Sequence, residues 1–189
     1  FSIKNALDYL GYSTVISSNP ELIEKVDHIV LPGVGSFPEG IKKLHSFNLS
    51  EPIKKFIRSG KKFLGICLGF QMLFEESVEF KKTKGLGIIK GKIEKLDKKK
   101  SLKIPHTGWN KVILKKKNSL KILNENDYFY FVHSYYAKPK NKDEIFTYTR
   151  YNNFEFCSSI RKNNIFACQF HPEKSGKRGL NLIKNFFEN

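Results

Sequence analysis

Apolar positions in the first third of the chain switch repeatedly between helical and extended spacing. Ile3, Ala6, Leu7 and Leu10 recur at helical intervals and stop at Gly11. Thr14-Val15-Ile16 then reads as a short strand ended by Ser17-Ser18-Asn19-Pro20, with Asn19 and Pro20 as N-cap and first residue of a helix. His28-Ile29-Val30-Leu31 is read as a buried strand running into Pro32-Gly33-Val34-Gly35, and Glu39 to Phe47 is helical. In the next helix Ser50 is placed to cap, Pro52 suits the first turn, Ile53, Phe56 and Ile57 form the apolar stripe, and Gly60 ends it. A buried strand, Lys62 to Ile66, leads into an apolar helix, Leu68 to Phe74. This alternation predicts an α/β fold, flavodoxin-like, with a mainly parallel central sheet flanked by helices.

After Gly85 the texture changes to short extended segments: Leu86 to Lys90, Ile93 to Leu96, Lys111 to Leu114, Tyr128 to Tyr136, Ile145 to Tyr151, Phe154 to Ile160 and Ile165 to Gln169. They predict an antiparallel, strand-rich extension, with Asn152-Asn153 as a hairpin turn because asparagine tolerates positive φ. A last helix carries Leu180, Ile183, Phe186 and Phe187 on one face. No repeat or flexible linker interrupts the pattern, so residues 1–189 are read as a single domain. The chain opens directly in a helix, whereas a fold of this kind normally opens with a central strand and tight turn. The expectation is that such a strand, roughly ten residues long, is missing from this sequence.

Composition narrows the function. No run approaches the roughly 18 apolar residues that span a membrane, and three cysteines without C-x-x-C spacing fit neither a disulfide framework nor a structural zinc site. A reducing cytoplasm is expected, with no metal and no cofactor. The net charge of +16 raises nucleic-acid binding. Yet the basic residues are mostly scattered lysines such as Lys54-Lys55, Lys61-Lys62 and Lys81-Lys82, which solvated surfaces explain, so no nucleic-acid partner is expected. The denser runs Lys98-Lys99-Lys100 and Lys115-Lys116-Lys117 discourage edge pairing of strands or form a docking surface for an acidic protein.

Chemistry concentrates in Gly65-Ile66-Cys67-Leu68-Gly69-Phe70-Gln71 and, about a hundred positions on, His171-Pro172-Glu173. The first stretch sits between strand and helix, the context of a nucleophile elbow with cysteine as nucleophile. There the helix N-terminus favours the thiolate that attacks. A merely buried cysteine leaves Gly65 and Gly69 unexplained, whereas a sharp elbow requires them; Cys157 and Cys168, on strand patterns, are read as core. His171 leaves a strand end, and Glu173 is placed to hydrogen-bond its far ring nitrogen and fix its tautomer. His28, His45, His106 and His133 lack such a neighbour and are assigned structural or surface roles. Donors for a developing oxyanion are the N–H of Leu68 and the Gly33-Val34-Gly35 backbone, whose plainer reading is a strand-ending turn.

These motifs resemble the class I (triad) glutamine amidotransferases. Leu31 to Phe37, Pro105 to Asn110 and Tyr130 to Tyr136 are similar to the glutaminase subunits of imidazole glycerol phosphate synthase within that family. The resemblance implies that Cys67 attacks the amide of L-glutamine, His171 shuttles protons and Glu173 orients it. It implies that Gln71 and the backbone of Ser134 and Tyr135 hold the substrate, with Glu79 pairing its α-ammonium. It also implies a (β/α)8 cyclase partner in a heterodimer, met by Trp109, Asn110, Tyr136 and Lys174, which receives ammonia for histidine biosynthesis. Gly33 to Gly35 would complete the oxyanion hole only when that partner is liganded. Rival readings are a paralogous ammonia supplier for sugar modification in surface glycan synthesis, a stand-alone γ-glutamyl hydrolase, and an idle basic binding protein.

Overall fold

The computed structural model describes residues 2–97, 103–115, 123–124 and 127–188. In chain order come α1 (Ser2–Tyr9), α2 (Pro20–Lys25), β1 (His28–Leu31), α3 (Phe37–Ser46), α4 (Ser50–Arg58), β2 (Lys62–Ile66), α5 (Leu68–Met72), β3 (Phe74–Ser77), β4 (Thr83–Lys84) and β5 (Ile89–Lys95). They are followed by β6 (His106–Lys111), β7 (Ile113–Leu114), β8 (Tyr128–His133), β9 (Tyr135–Pro139), β10 (Ile145–Tyr151), β11 (Phe154–Lys162), β12 (Ile165–Cys168) and α6 (Gly176–Glu188).

One curled sheet of order β1-β2-β12-β11-β9-β5-β3-β4 forms the centre. Its parallel part is β1-β2-β12, with Leu31 level with Gly65 and Cys168 level with Ile66; from β11 the pairing turns antiparallel through β9 and β5. A separate two-stranded sheet pairs β6 with β8.

Period-two alternation on β2 sorts the core into two layers. Phe63 faces a cluster built with Phe37, Ile41 and Leu44 of α3 and Ile53, Phe56 and Ile57 of α4. Leu64 and Ile66 face the opposite cluster with Ala6 and Leu7 of α1 and Leu182, Ile183, Phe186 and Phe187 of α6. Both faces are covered over β2 and β12, which are buried from Phe63 to Ile66 and from Ile165 to Cys168, whereas the edge strand β1, expected to be buried, is only half-buried, with His28 exposed.

Several boundaries differ from the sequence reading. Thr14-Val15-Ile16 forms no strand: among the described residues none flanks it, and Val15 and Ile16 stay 63% and 68% exposed. A strand needs a neighbour, and β-propensity alone does not supply one. Ser50 is the first helical residue rather than the cap, which is Leu49, and makes no capping bond. Asn19 does cap α2, accepting from the Glu21 N–H. Helix α5 stops at Met72, because Phe74 already pairs with Ile89 across β3 and β5. The two expected strands between Leu86 and Leu96 are one, β5. Tyr128 to Tyr136 is divided at Ser134, and Lys111 to Leu114 is divided between β6 and β7. Leu180 packs half-buried against the same cluster as Ile183, Phe186 and Phe187, and the buried face of α6 also includes Leu182, which the sequence reading left out. Lys98 to Lys100, Lys116 and Lys117 lie outside the described residues.

The parallel strands are locked to α5 at Gly69, where an added Cβ would fall 1.7 Å from the Leu31 carbonyl oxygen. Backbone cannot yield there as a side chain can. Gly69→Ala is therefore expected to destabilise the fold by at least about 3 kcal/mol in urea-induced unfolding; a change under about 1 kcal/mol would show that β1 and α5 separate easily.

Candidate active site

Strand β2 and helix α5 meet at a single residue, Cys67, and the chain turns there by placing it at φ +54°. A side-chain-bearing residue held in this region costs on the order of 1–3 kcal/mol and persists only where its surroundings fix it. Here the Cys67 N–H donates to the Cys168 carbonyl at 2.8 Å, and the Cys67 carbonyl accepts from the Gln71 N–H at 3.1 Å. On the other side Gly65 leaves room for Ala167, whose Cβ would stand 3.0 Å from a Cβ at that position. The thiol is thereby fixed at the start of α5.

His171 follows β12 by three residues, and its N–H donates to the Tyr130 carbonyl at 2.9 Å. Its Nδ1 lies 2.8 Å from Glu173 Oε1, so that nitrogen carries the proton and Nε2 is left for chemistry. Nε2 is buried without a hydrogen bond among the described residues, yet lies within electrostatic reach of Cys67. Burial disfavours a charged imidazole, but Cys67 and Glu173 outweigh it and push His171 up to about 9. A thiol, an imidazole and a carboxylate in this order are equipped for nucleophilic acyl transfer.

Around the sulfur the polar groups form a wall. Gln71 Nε2 donates to the Tyr135 carbonyl at 3.1 Å and to Gln169 Oε1 at 2.9 Å, and Gln169 Nε2 donates to Cys67 Sγ at 3.7 Å. Glu79 is buried, and its Oε2 accepts from the Phe37 N–H at 2.7 Å, at the first residue of α3. The Ser134 carbonyl accepts from the Leu96 N–H and belongs to the sheet framework. The Leu68 N–H donates to the Gly33 carbonyl at 3.4 Å. The loop expected to add a second oxyanion donor thus covers the first one, while Val34 projects outward, 82% exposed.

The four residues assigned to a partner surface do not share one face. Adjacent residues of a strand point to opposite sides, so Trp109 stands outward, 57% exposed and edge-on to Tyr130 at 6.3 Å. Asn110 instead turns inward, with Nδ2 3.3 Å from His106 Nε2 and 3.2 Å from the Arg150 carbonyl. Tyr136 is half-buried, its hydroxyl on Glu94 at 3.0 Å; burial first, then Glu94, pushes it up to about 12. Lys174 is exposed in the turn Pro172–Lys174. Sequence reasoning passed over Tyr130, which holds the His171 backbone and accompanies Trp109, and Gln169, whose signal is that it ends the strand preceding His171. Among the described residues no group of three or more His, Cys, Asp and Glu side chains is placed to hold a metal ion, and no helix is long and apolar enough to cross a membrane.

The family model for class-I glutamine amidotransferases matches residues 1–189, and the chain belongs to that family. Within it, the subunit HisH of imidazole glycerol phosphate synthase from Pyrococcus furiosus is 52% identical, with 98% of this chain and 91% of that protein covered. The same subunit from Caldanaerobacter subterraneus subsp. tengcongensis is 48% identical, with 99% and 91% covered. Among solved structures, a glutamine amidotransferase superposes with a TM-score of 0.75 at 18% identity, covering 99% of this chain and 91% of the other. A second glutamine amidotransferase, from Thermotoga maritima, gives 0.62 at 17% identity, covering 98% and 77%. Both share the fold.

Because the folded value of His171 is raised, from 6.5 to about 9, its coupling to Cys67 and Glu173 stabilises the protein fully below pH 6.5 and is lost as pH rises through about 9. The His171 ring followed by NMR is expected to titrate near 9, and Cys67→Ala and Glu173→Gln should each lower that midpoint. A wild-type midpoint at or below 6.5 would contradict the coupling.

Proposed function

We propose that this chain is the ammonia-producing subunit of an imidazole glycerol phosphate synthase, with Cys67, His171 and Glu173 as its catalytic triad. The observation that carries the reading is the strained Cys67 elbow facing a histidine whose far nitrogen is held by Glu173. The Cys67 thiolate attacks the side-chain amide carbon of L-glutamine. Its developing oxyanion is met by the Leu68 N–H once the Gly33-Val34-Gly35 backbone turns its carbonyl away and offers an N–H. His171 Nε2–H gives its proton to the departing nitrogen, and ammonia leaves. Water, deprotonated by the same nitrogen, then cleaves the thioester to glutamate and restores the thiolate. Gln71 and the Tyr135 carbonyl border the amide, and Glu79 faces the substrate α-ammonium.

Two observations support gating by a partner. The Leu68 donor is occupied by Gly33 in the chain alone, so the oxyanion hole is closed at rest. An exposed strip on β6 and β8, with Trp109, Tyr128 and Val132 at 57%, 55% and 37% exposure, lies beside the same site. That strip suits a (β/α)8 cyclase which receives the ammonia and forms imidazole glycerol phosphate in histidine biosynthesis. The relatives' shared designation as HisH subunits favours this pathway over sugar modification.

Glutamate release from L-glutamine should be slow for the chain alone and rise at least about a hundredfold with a cyclase partner carrying its nucleotide ligand, a single oxyanion donor being worth about 10²–10³. Cys67→Ala should abolish it in both conditions. Full activity without a partner would overturn the gating. Trp109→Ala should weaken cyclase binding on the order of thirtyfold, the cost of a central aromatic anchor; unchanged affinity in calorimetry would place the interface elsewhere.

A further inference from the structure

Behind the catalytic wall lie two buried histidines that the triad chemistry does not use. His106 on β6 and His133 on β8 are cross-strand partners, 2% and 6% exposed, with His106 Nδ1 2.9 Å from His133 Nε2. Each ring has a second partner: His106 Nε2 meets Asn110 Nδ2 at 3.3 Å, and His133 Nδ1 meets the Tyr135 carbonyl at 2.8 Å.

The two ends of this chain fix its polarity. Asn110 Oδ1 accepts from the Lys111 N–H, so the amide nitrogen must point at His106. His106 Nε2 is therefore an acceptor, and its proton sits on Nδ1. That proton is donated to His133 Nε2, which puts the His133 proton on Nδ1, facing a carbonyl that can only accept. The same Tyr135 carbonyl accepts from Gln71, and Gln71 leads through Gln169 to Cys67. Both ends agree on one tautomer for each ring, with no donor facing a donor.

Packing keeps the pair neutral. His106 stacks between Phe131 at 4.9 Å and Tyr151 at 4.1 Å, and Phe156 lies 5.0 Å from the His133 ring. Burial lowers His106 to about 4. Burial, aided by His106 and opposed by the Tyr135 carbonyl, lowers His133 to about 3.

We propose that His106 and His133 are positioning residues: a pair of neutral imidazoles of fixed tautomer that carries the placement of Asn110 on β6 to the Tyr135 carbonyl and so to Gln71 in the substrate-binding wall. At Ser134 the chain passes from β8, paired with β6, to β9, paired with β5. Tyr135 begins β9 just after β8 ends, and its carbonyl is held by two side-chain donors, His133 and Gln71. Asn110 is back to back with Trp109, so a movement of β6 caused by contact with Trp109 reaches the substrate wall through this chain. The kinetic readout rests on the glutaminase reading above; the spectroscopic one does not.

The full chain, labelled with 15N at histidine, is examined by NMR between pH 5 and 8. His106 and His133 are expected to show protonated Nδ1 and bare Nε2 throughout, the less common form of free imidazole. Asn110→Asp replaces the terminal donor by an acceptor and should move a proton onto His106 Nε2. His133→Phe, which keeps a flat ring but makes no hydrogen bond, should raise KM for glutamine roughly tenfold, with kcat changed less than about threefold. His133→Asn, which restores a donor toward Tyr135, should recover most of that loss. An Nε2–H tautomer in the wild type, titration of either ring in this range, or an Asn110→Asp spectrum identical to wild type would overturn the proposal. So would His133→Phe with unchanged KM in an active enzyme. If the wild type releases no glutamate with any cyclase, the glutaminase reading falls and the NMR results alone decide.

Discussion

The structure depends on holding one cysteine in a backbone conformation that cysteine resists. Cys67 at φ +54° is what lets a buried strand turn into a helix without a loop and leaves the sulfur at the helix start. That conformation is held by its surroundings: the Cys168 carbonyl on β12, the first turn of α5, and the contact of Gly69 with the Leu31 carbonyl on β1. The three parallel strands therefore serve as the clamp of the elbow as well as the centre of the core. Through the same strand, β12 leads to His171, so thiol and imidazole are placed by neighbouring strands with fixed register.

Electrostatics divides the histidines by their neighbours, since burial alone acts on all three in the same direction. His171, His106 and His133 are each nearly excluded from water. Glu173 and Cys67 turn His171 toward the charged form, whereas aromatic rings and a neutral hydrogen-bond chain leave His106 and His133 uncharged. The imidazole turned toward its charged form thus stands beside the sulfur, and the two behind the wall stay neutral.

Much of this was legible in the sequence because the signals are local. Strands β1 and β2, the cap at Asn19, the hairpin at Asn152 and the spacing of His171 and Glu173 are set by residues within a few positions of one another, as are the glycines that flank Cys67. What was not legible depends on pairing between distant segments. Thr14 to Ile16 has strand propensity and no pairing strand among the described residues. The division at Ser134 follows from β8 pairing with β6 while β9 pairs with β5. The same pairing brings His106 to His133 and turns Asn110 inward from Trp109; neither arrangement shows in a segment read alone. Coverage of the Leu68 N–H by Gly33 is likewise a tertiary fact.

The central claim is that Cys67 forms a covalent bond with the substrate. The most direct test is to mix the chain and a liganded cyclase with glutamine, quench in acid, and map the peptides by mass. The account predicts a γ-glutamyl thioester on Cys67 alone, sensitive to hydroxylamine and accumulating when His171 is replaced by a residue that cannot activate water. Ammonia release with no adduct on Cys67 under any quench, or an adduct on another residue, would contradict it.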